Sequence, residues 1–310
     1  MNTSRTPADP GEFDSVYAAL RPLLLTIAYE MVGAIGEAED IVQEAFLRFH
    51  RELVKGTEIE SPKAWLATVT TRLAINQVKS ARVRRVSYVG TWLPEPLLTD
   101  AAPDVVSQVE TAEALSMAFL VLLERLSPVE RAVFLLRDVF DFPFDEIAVI
   151  VGKTEANCRQ IAVRARRQVQ ASKPRFEASR RRREELARRF FEAIDAGKTD
   201  RLVDLLAAEV VAYSDGGGKA SAIRKPLYGR KHVTRLLSLF RNWLEDLGAV
   251  ERRVAEVNGQ PGVVFFDAES QPVLVVALDI AGRQVIAVRT ITNPEKLRHL
   301  HGRSSGVRKD

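Results

Sequence analysis

Apolar residues recur at spacings of three and four from the start of the chain. Val16, Leu20, Leu23, Leu24, Ile27 and Met31 form one stripe and predict a helix from Phe13, with Pro22 inside it predicting a kink or a late start. Gly33 and Gly36 break the pattern. A second helix is predicted from Glu37 to about Leu53, with Ile41, Ala45, Phe49 and Leu53 on one side and Glu39, Asp40, Gln43 and Glu44 on another. Ser61-Pro62 reads as an N-cap with proline at the first helical position, opening a third helix to Arg85. Pro94, Pro96 and Pro103 mark a linker, and a second helical block runs from about Gln108 to Ser172.

Past Lys173-Pro174 and the four arginines Arg180 to Arg183 the pattern changes class. Helices are predicted over Glu184–Ala196, Asp200–Ala208 and Lys231–Leu247. After Glu251 come strand-like runs at Gly262–Phe266, Pro272–Leu278 and Gln284–Ile291, read as a curved antiparallel sheet. The predicted division is therefore a helical domain over 12–93, a linker over 94–112, a second helical domain over 113–172, a basic linker over 173–184, an α+β domain over 185–300 and a disordered tail over 301–310.

Composition narrows the classes. Of 310 residues, 46% are hydrophobic and 28% charged, enough for several packed domains. The single cysteine, Cys158, excludes an internal disulfide and fits a reducing compartment. No membrane association is expected, because no uninterrupted apolar run approaches the roughly 18 residues a spanning helix needs. Residues 1–12 are polar and proline-containing, so no secretory leader is expected either, and a cytoplasmic protein is predicted.

Net charge is only +4, so the placement of charge carries the information. From Ser61 to Pro94 there is no acid, while Lys63, Arg72, Lys79, Arg82, Arg84 and Arg85 are present with Asn76 and Gln77 between them. A helix of that kind suits a phosphate backbone, with the amides able to read base edges. The second basic surface has a more specific frame. Ser127-Pro128-Val129-Glu130 combines an N-cap, a proline and a capping-box glutamate, and Gly152-Lys153 joins two later helices as a helix-turn-helix. Its last helix carries Asn157, Arg159 and Gln160 near the start, then Arg164, Arg166 and Arg167, with no acid between Glu155 and Glu177.

These residues resemble a known family. Glu37–Phe46, Ala64-Trp65-Leu66 and Leu73–Asn76 are similar to the second domain of extracytoplasmic-function (ECF) sigma factors, and Leu126–Arg131 with the helix-turn-helix to their fourth domain. Trp92-Leu-Pro-Glu-Pro96, Asp215-Gly-Gly-Gly-Lys219 and Asn293-Pro-Glu-Lys-Leu297 narrow the likeness to the SigJ-like group, in which a SnoaL-like domain is fused at the C-terminus. The resemblance implies two all-α sigma domains followed by an α+β cone-shaped barrel. It implies a non-enzymatic initiation factor, without metal or cofactor, whose partners are core RNA polymerase (β′ clamp helices and β subunit) and promoter DNA.

By the same resemblance Asp40, Gln43 and Glu44 face the polymerase. Asn76, Lys79, Arg82, Arg84 and Arg85 meet the −10 element, while Asn157, Arg159, Gln160, Arg164, Arg166 and Arg167 meet the −35 element. Ile161 stands where many relatives carry a basic residue, so promoter preference does not transfer. The group also implies regulation by the fused domain: Asp215, Gly216, Gly217, Gly218 and Lys219 are expected to face either the sigma domains or the linker residues Trp92, Pro94 and Pro96, with Asn293, Pro294, Lys296 and Leu297 completing that contact. Asp215, Asp279 and His232 are the acid/base candidates of the third domain. They read more simply as a residue with a backbone role at a glycine run, a turn residue and a surface histidine, so no catalytic residue is assigned. A small-molecule ligand of this domain stays open, and the alternative for the whole chain is a one-component DNA-binding regulator with a ligand-binding C-terminal domain.

Overall fold

The computed structural model describes residues 10–85, 87–99, 112–170 and 179–300. The side chains of Arg84 and Arg85 and the expected tail over 301–310 lie outside the described residues. Two compact units emerge: one built from residues 10–84, 112–114 and 122–170, the other from 85, 87–99, 115–121 and 179–300.

In the helical unit, α1 (Pro10–Val32) is one uninterrupted helix with Pro22 in its interior, where a kink or late start was expected. Thr26 Oγ1 donates to the Pro22 carbonyl at 2.8 Å, one turn on. By length and composition the stretch Phe13–Val32 could cross a membrane. Its apolar positions are spent inward instead: Leu24, Ile27, Ala28 and Met31 are each at most 1% exposed, as in a core helix. Gly33 ends α1 at φ 72°, while Gly36, expected to break the chain, lies within the first turn of α2 (Ile35–Val54). α3 (Pro62–Arg85) starts under the Ser61 cap, whose Oγ accepts from Ala64 N–H at 3.2 Å.

Short helices α4 (Ala112–Leu115) and α5 (Met117–Leu123) lead to α6 (Pro128–Asp138), α7 (Phe144–Val151) and α8 (Glu155–Gln170). The capping box is complete: Glu130 N–H donates to Ser127 Oγ at 3.3 Å and Ser127 N–H to Glu130 Oε2 at 3.0 Å. Gly152 supplies the left-handed turn at φ 65° that the α7–α8 corner requires.

Arg131, on α6, is 2% exposed. Its guanidinium donates to the Met31 carbonyl at 2.5 Å and the Leu123 carbonyl at 3.0 Å, and pairs with Glu124 at 2.8 Å. Arg72 of α3 donates to the Val149 and Ile150 carbonyls at 2.8 and 2.9 Å, satisfying the end of α7. These bonds tie the first three helices to the helix-turn-helix.

The second unit is α+β. α9 (Arg180–Asp195) and α10 (Thr199–Leu205) precede β1 (Leu206–Asp215) and the short β2 (Leu227–Tyr228). Then come α11 (Arg230–Ser238), α12 (Phe240–Asp246), β3 (Glu251–Val257), β4 (Gln260–Phe266), β5 (Pro272–Ala281), β6 (Gln284–Ile291) and α13 (Pro294–Leu297). The sheet order is β2-β1-β6-β5-β4-β3, and β1 runs parallel to β6. The all-antiparallel expectation is thereby corrected. Its cause is β1 itself: Leu206-Ala-Ala reads as helix by propensity, but pairing with β6 turns it into a strand.

Both faces of the sheet are buried. Val210, Ala212, Val276, Leu278 and Val288 face α9–α12, while Val264, Val275, Ala277 and Ile291 face a second layer. That second layer includes Leu93, Leu98 and Met117, contributed by segments far upstream in sequence. β5 accordingly reads as a nearly continuous apolar run rather than an alternating one.

Candidate functional site

Four sites carry the residues singled out above. On α2, Asp40 and Gln43 are exposed, and the half-buried Glu44 is held ionised by Arg48, whose hydrogen bond at 2.7 Å pulls the carboxyl below its usual range. Gln43 lies on the rim of a groove of about 720 Å³ between α1 and α2, floored by Phe46 and Val42. Tyr17 and Leu47 are 40% and 46% exposed on the same groove, apolar residues that the sequence reading passed over. Their only signal was lying off the buried stripe. Trp65 is partly buried and packs on buried Phe49 with centroids 5.6 Å apart.

On α3, Asn76, Lys79 and Arg82 are exposed, whereas Ala74, Ile75, Val78 and Ala81 are buried, so the basic residues share the outer face. On α8, Asn157, Arg159, Gln160, Arg164 and Arg167 are exposed and Arg166 is partly so. Arg159 lies over the Phe144 ring at 4.6 Å and pairs with Glu155, which orients its guanidinium at the start of the helix. Arg166 bonds Asp138 of α6 at 2.6 Å. Cys158 and Ile161 are buried beneath, and burial pushes the Cys158 thiol up, away from thiolate reactivity.

The fourth site centres on Asp215, fully buried at the end of β1. Its carboxylate accepts from Tyr88 OH at 2.5 Å, Leu93 N–H at 2.7 Å and Lys296 Nζ at 2.7 Å. Lys296, 7% exposed, also donates to the Leu93 carbonyl and lies over the Trp92 ring at 4.5 Å. Burial, with the Asp215 carboxylate second, holds the Tyr88 hydroxyl well above its ordinary pKa, so it stays a donor.

The glycines make room for this hub. At Gly217 (φ 59°) a Cβ would fall 2.2 Å from Asn293 Nδ2 and 3.0 Å from Tyr88 OH. At Gly216 it would fall 2.4 Å from the Ala220 carbonyl. Gly218 follows with Val89 packed against it, and Lys219 pairs with Glu295. Asn293 caps α13 through Oδ1 and donates from Nδ2 to Tyr88 OH at 3.0 Å, with Pro294 at the first position and Leu297 buried.

Pro94 and Pro96 are buried, and Pro96 offers its carbonyl to His299 at 2.7 Å. Asp215 was expected to serve through its backbone; its side chain is the centre of the network instead. Asp279, expected in a turn, lies within β5 and pairs with buried Arg289 at 2.8 Å, which in turn lies over Tyr213. His232 is exposed, and its ring Nδ1 lies 3.0 Å from the Tyr228 carbonyl one turn back.

Asn258 was missed altogether. It is fully buried at φ 51° in the two-residue turn between β3 and β4. Its Oδ1 accepts from Leu97 N–H at 2.9 Å, its backbone N–H donates to the Leu97 carbonyl at 2.7 Å, and its Nδ2 donates to the Leu115 carbonyl at 3.0 Å. Asn-Gly was visible as a hairpin signal, but nothing local says that its side chain would hold a segment some 160 residues away.

Two Sigma-70 family models match the chain: Sigma-70 region 2 over residues 16–84, and Sigma-70, region 4 over residues 116–169. A region 2 fold tied to a helix-turn-helix of region 4 defines a sigma-type transcription initiation factor. The ECF RNA polymerase sigma factor SigJ of Mycobacterium tuberculosis is 37% identical over 293 residues, covering 91% of this chain and 92% of that protein. SigI of the same organism is 30% identical over 295 residues, covering 94% and 97%. The crystal structure of Mycobacterium tuberculosis SigJ superposes with a TM-score of 0.73 at 33% identity, over 92% of this chain and 98% of that one. The chain belongs to the ECF RNA polymerase sigma factors, which direct promoter-specific initiation, and it carries an α+β domain at its C-terminus. The one-component regulator alternative is not favoured.

Proposed function

We propose that the SnoaL-like domain regulates sigma activity in cis by holding the linker between regions 2 and 4. The observation that carries this reading is the Asp215 carboxylate, which accepts from two linker groups, Tyr88 OH and Leu93 N–H, and is neutralised by Lys296. Leu93, Leu97 and Leu98 are 0%, 1% and 5% exposed. Burial of three leucines contributes roughly 5–9 kcal/mol before ordering costs, so the hold is not a loose tether. A tethered domain meets its partner at roughly millimolar effective concentration, so modest changes in this contact suffice to alter the linker's freedom.

In this reading Asp40, Gln43 and Glu44 engage core polymerase. Asn76, Lys79 and Arg82, followed in sequence by Arg84 and Arg85, serve the −10 element. Asn157, Arg159, Gln160, Arg164, Arg166 and Arg167 serve the −35 element, and the work is done in the cytoplasm. The protein binds rather than turns over: Asp215 and Asp279 are engaged by Lys296 and Arg289, which suits anchors better than acids or bases.

Run-off transcription with purified core polymerase tests both parts. Arg159→Ala should lower output from a −35-dependent promoter about tenfold, the scale of one well-made base contact. Asp215→Asn should change output at least threefold at equal protein concentration. Equal output from Asp215→Asn and the unsubstituted chain sinks the regulatory reading while leaving the sigma assignment standing.

A further inference from the structure

The helix-facing side of the sheet holds a cavity of about 190 Å³ that none of these roles uses. Ile223, Leu236, Phe240 and Trp243 give it apolar walls, Tyr213, Ser214, Ser221 and Thr290 are its polar residues, and no charged residue lines it. Ser214 is 3% exposed and its hydroxyl has no hydrogen-bond partner. Strand alternation puts Ser214 on the same face as Val210 and Ala212, toward the cavity, and Asp215 on the opposite face toward the linker. Thr290 already spends its hydroxyl proton on the Tyr213 carbonyl at 3.2 Å. A buried hydroxyl left unpaired is costly, so an unused donor and acceptor at the wall of an apolar cavity favours an occupant that meets it.

The geometry points to a receptor site for a small neutral apolar molecule, monocyclic or short-chain, carrying one hydroxyl or carbonyl that bonds Ser214 Oγ. The size fits, since an apolar cavity of about 150 Å³ holds a benzene-sized molecule. Charged ligands are disfavoured because the lining offers no counter-charge. The site also backs onto the Asp215 hub. Ser221 and Ala222 line it, the Ser221 carbonyl accepts from Thr292 Oγ1 at 3.0 Å, and Thr292 N–H donates to the Asp215 carbonyl at 2.9 Å. An occupant and the linker therefore press on one loop. This coupling rests on the cis-regulatory reading; the site itself does not.

Fluorine NMR of the full chain without polymerase separates the two. 4-Fluorophenol should bind in the millimolar range or tighter and compete with phenol. Leu236→Trp, which fills the cavity, should weaken binding at least tenfold, and Leu239→Trp on the exposed neighbouring position should leave it unchanged. If Leu236→Trp does not fold by circular dichroism, Ala222→Leu reads the same volume. Ser214→Ala should weaken 4-fluorophenol about fivefold and leave fluorobenzene unaffected, the value of one hydrogen bond. Absence of binding at about 10 mM, undiminished binding to the filled variant, or equal binding of 4-fluorobenzoate overturns the site. Coupling predicts that Asp215→Asn shifts the 4-fluorophenol affinity at least threefold. An unchanged affinity overturns the coupling and leaves transcriptional regulation to be judged by the run-off assay.

Discussion

Asp215 shows what one buried carboxylate does when every donor around it is engaged. Removing it strands the Lys296 ammonium at 7% exposure, and breaking a buried pair from one side costs about 3–5 kcal/mol. Asp215→Ala should therefore lower unfolding free energy by that amount in denaturant titration, and adding Lys296→Met should recover much of it. A double variant no more stable than Asp215→Ala would contradict the pairing.

Glu30 presents the opposite case. Both of its oxygens are buried without a hydrogen-bond partner, and burial raises its pKa well above the ordinary 4.5 despite the nearby Arg131. Burial, reinforced by Arg82, also lowers Arg131 to about 10, which leaves it charged at neutral pH. A carboxyl with a raised folded-state pKa binds its proton more tightly when native. Its stabilising contribution is full below pH 4.5 and is lost as pH rises through the folded value. Glu30→Gln should flatten the fall in Tm as pH rises above 4.5; a steeper fall in the variant would reverse this account.

At the scale of elements, the helices were legible because a single buried stripe and its caps are local signals. Ser61, the Ser127–Glu130 box and Gly152 each act within one turn. β1 and the topology of the sheet were not, because Leu206-Ala-Ala-Glu209 becomes a strand only through pairing with Val285 to Ile291, nearly 80 residues on. Of the candidate sites, the exposed cations of α3 and α8 could be read from an absence of acids. Tyr88 and Asn258 could not, since their partners are distant and each sits in a stretch that reads as loop. The turn at Asn258 gives this a measurable form. Asn258→Gly keeps the positive φ but leaves the Leu97 N–H and Leu115 C=O without their side-chain partner. The expected loss is on the order of 2–6 kcal/mol, with a matching fall in Tm and faster amide exchange at Leu97. Unchanged exchange at Leu97 would show that the side chain does not hold the linker.

For the whole molecule, the two compact units do not follow the order of the chain. Residues 87–99 and 115–121 belong with the sheet, although they flank and enter the region 4 match. Deleting everything after about Phe176 should consequently do more than release a regulator, because Leu93, Leu97, Leu98 and Met117 would lose their cover. The truncated chain should self-associate at micromolar concentration by light scattering, while Asp215→Asn at full length should remain monodisperse. A monodisperse truncation would show that these leucines find another shelter.

The two-faced sheet also sets a schedule for synthesis. Leu93 and Leu98 emerge from the ribosome long before β6, which completes the wall they rest on, and nearly 200 residues must follow before that wall exists. For that interval the newborn chain carries an apolar strip with nothing to lie against, so a shortened nascent protein is a client for chaperones before it is a transcription factor.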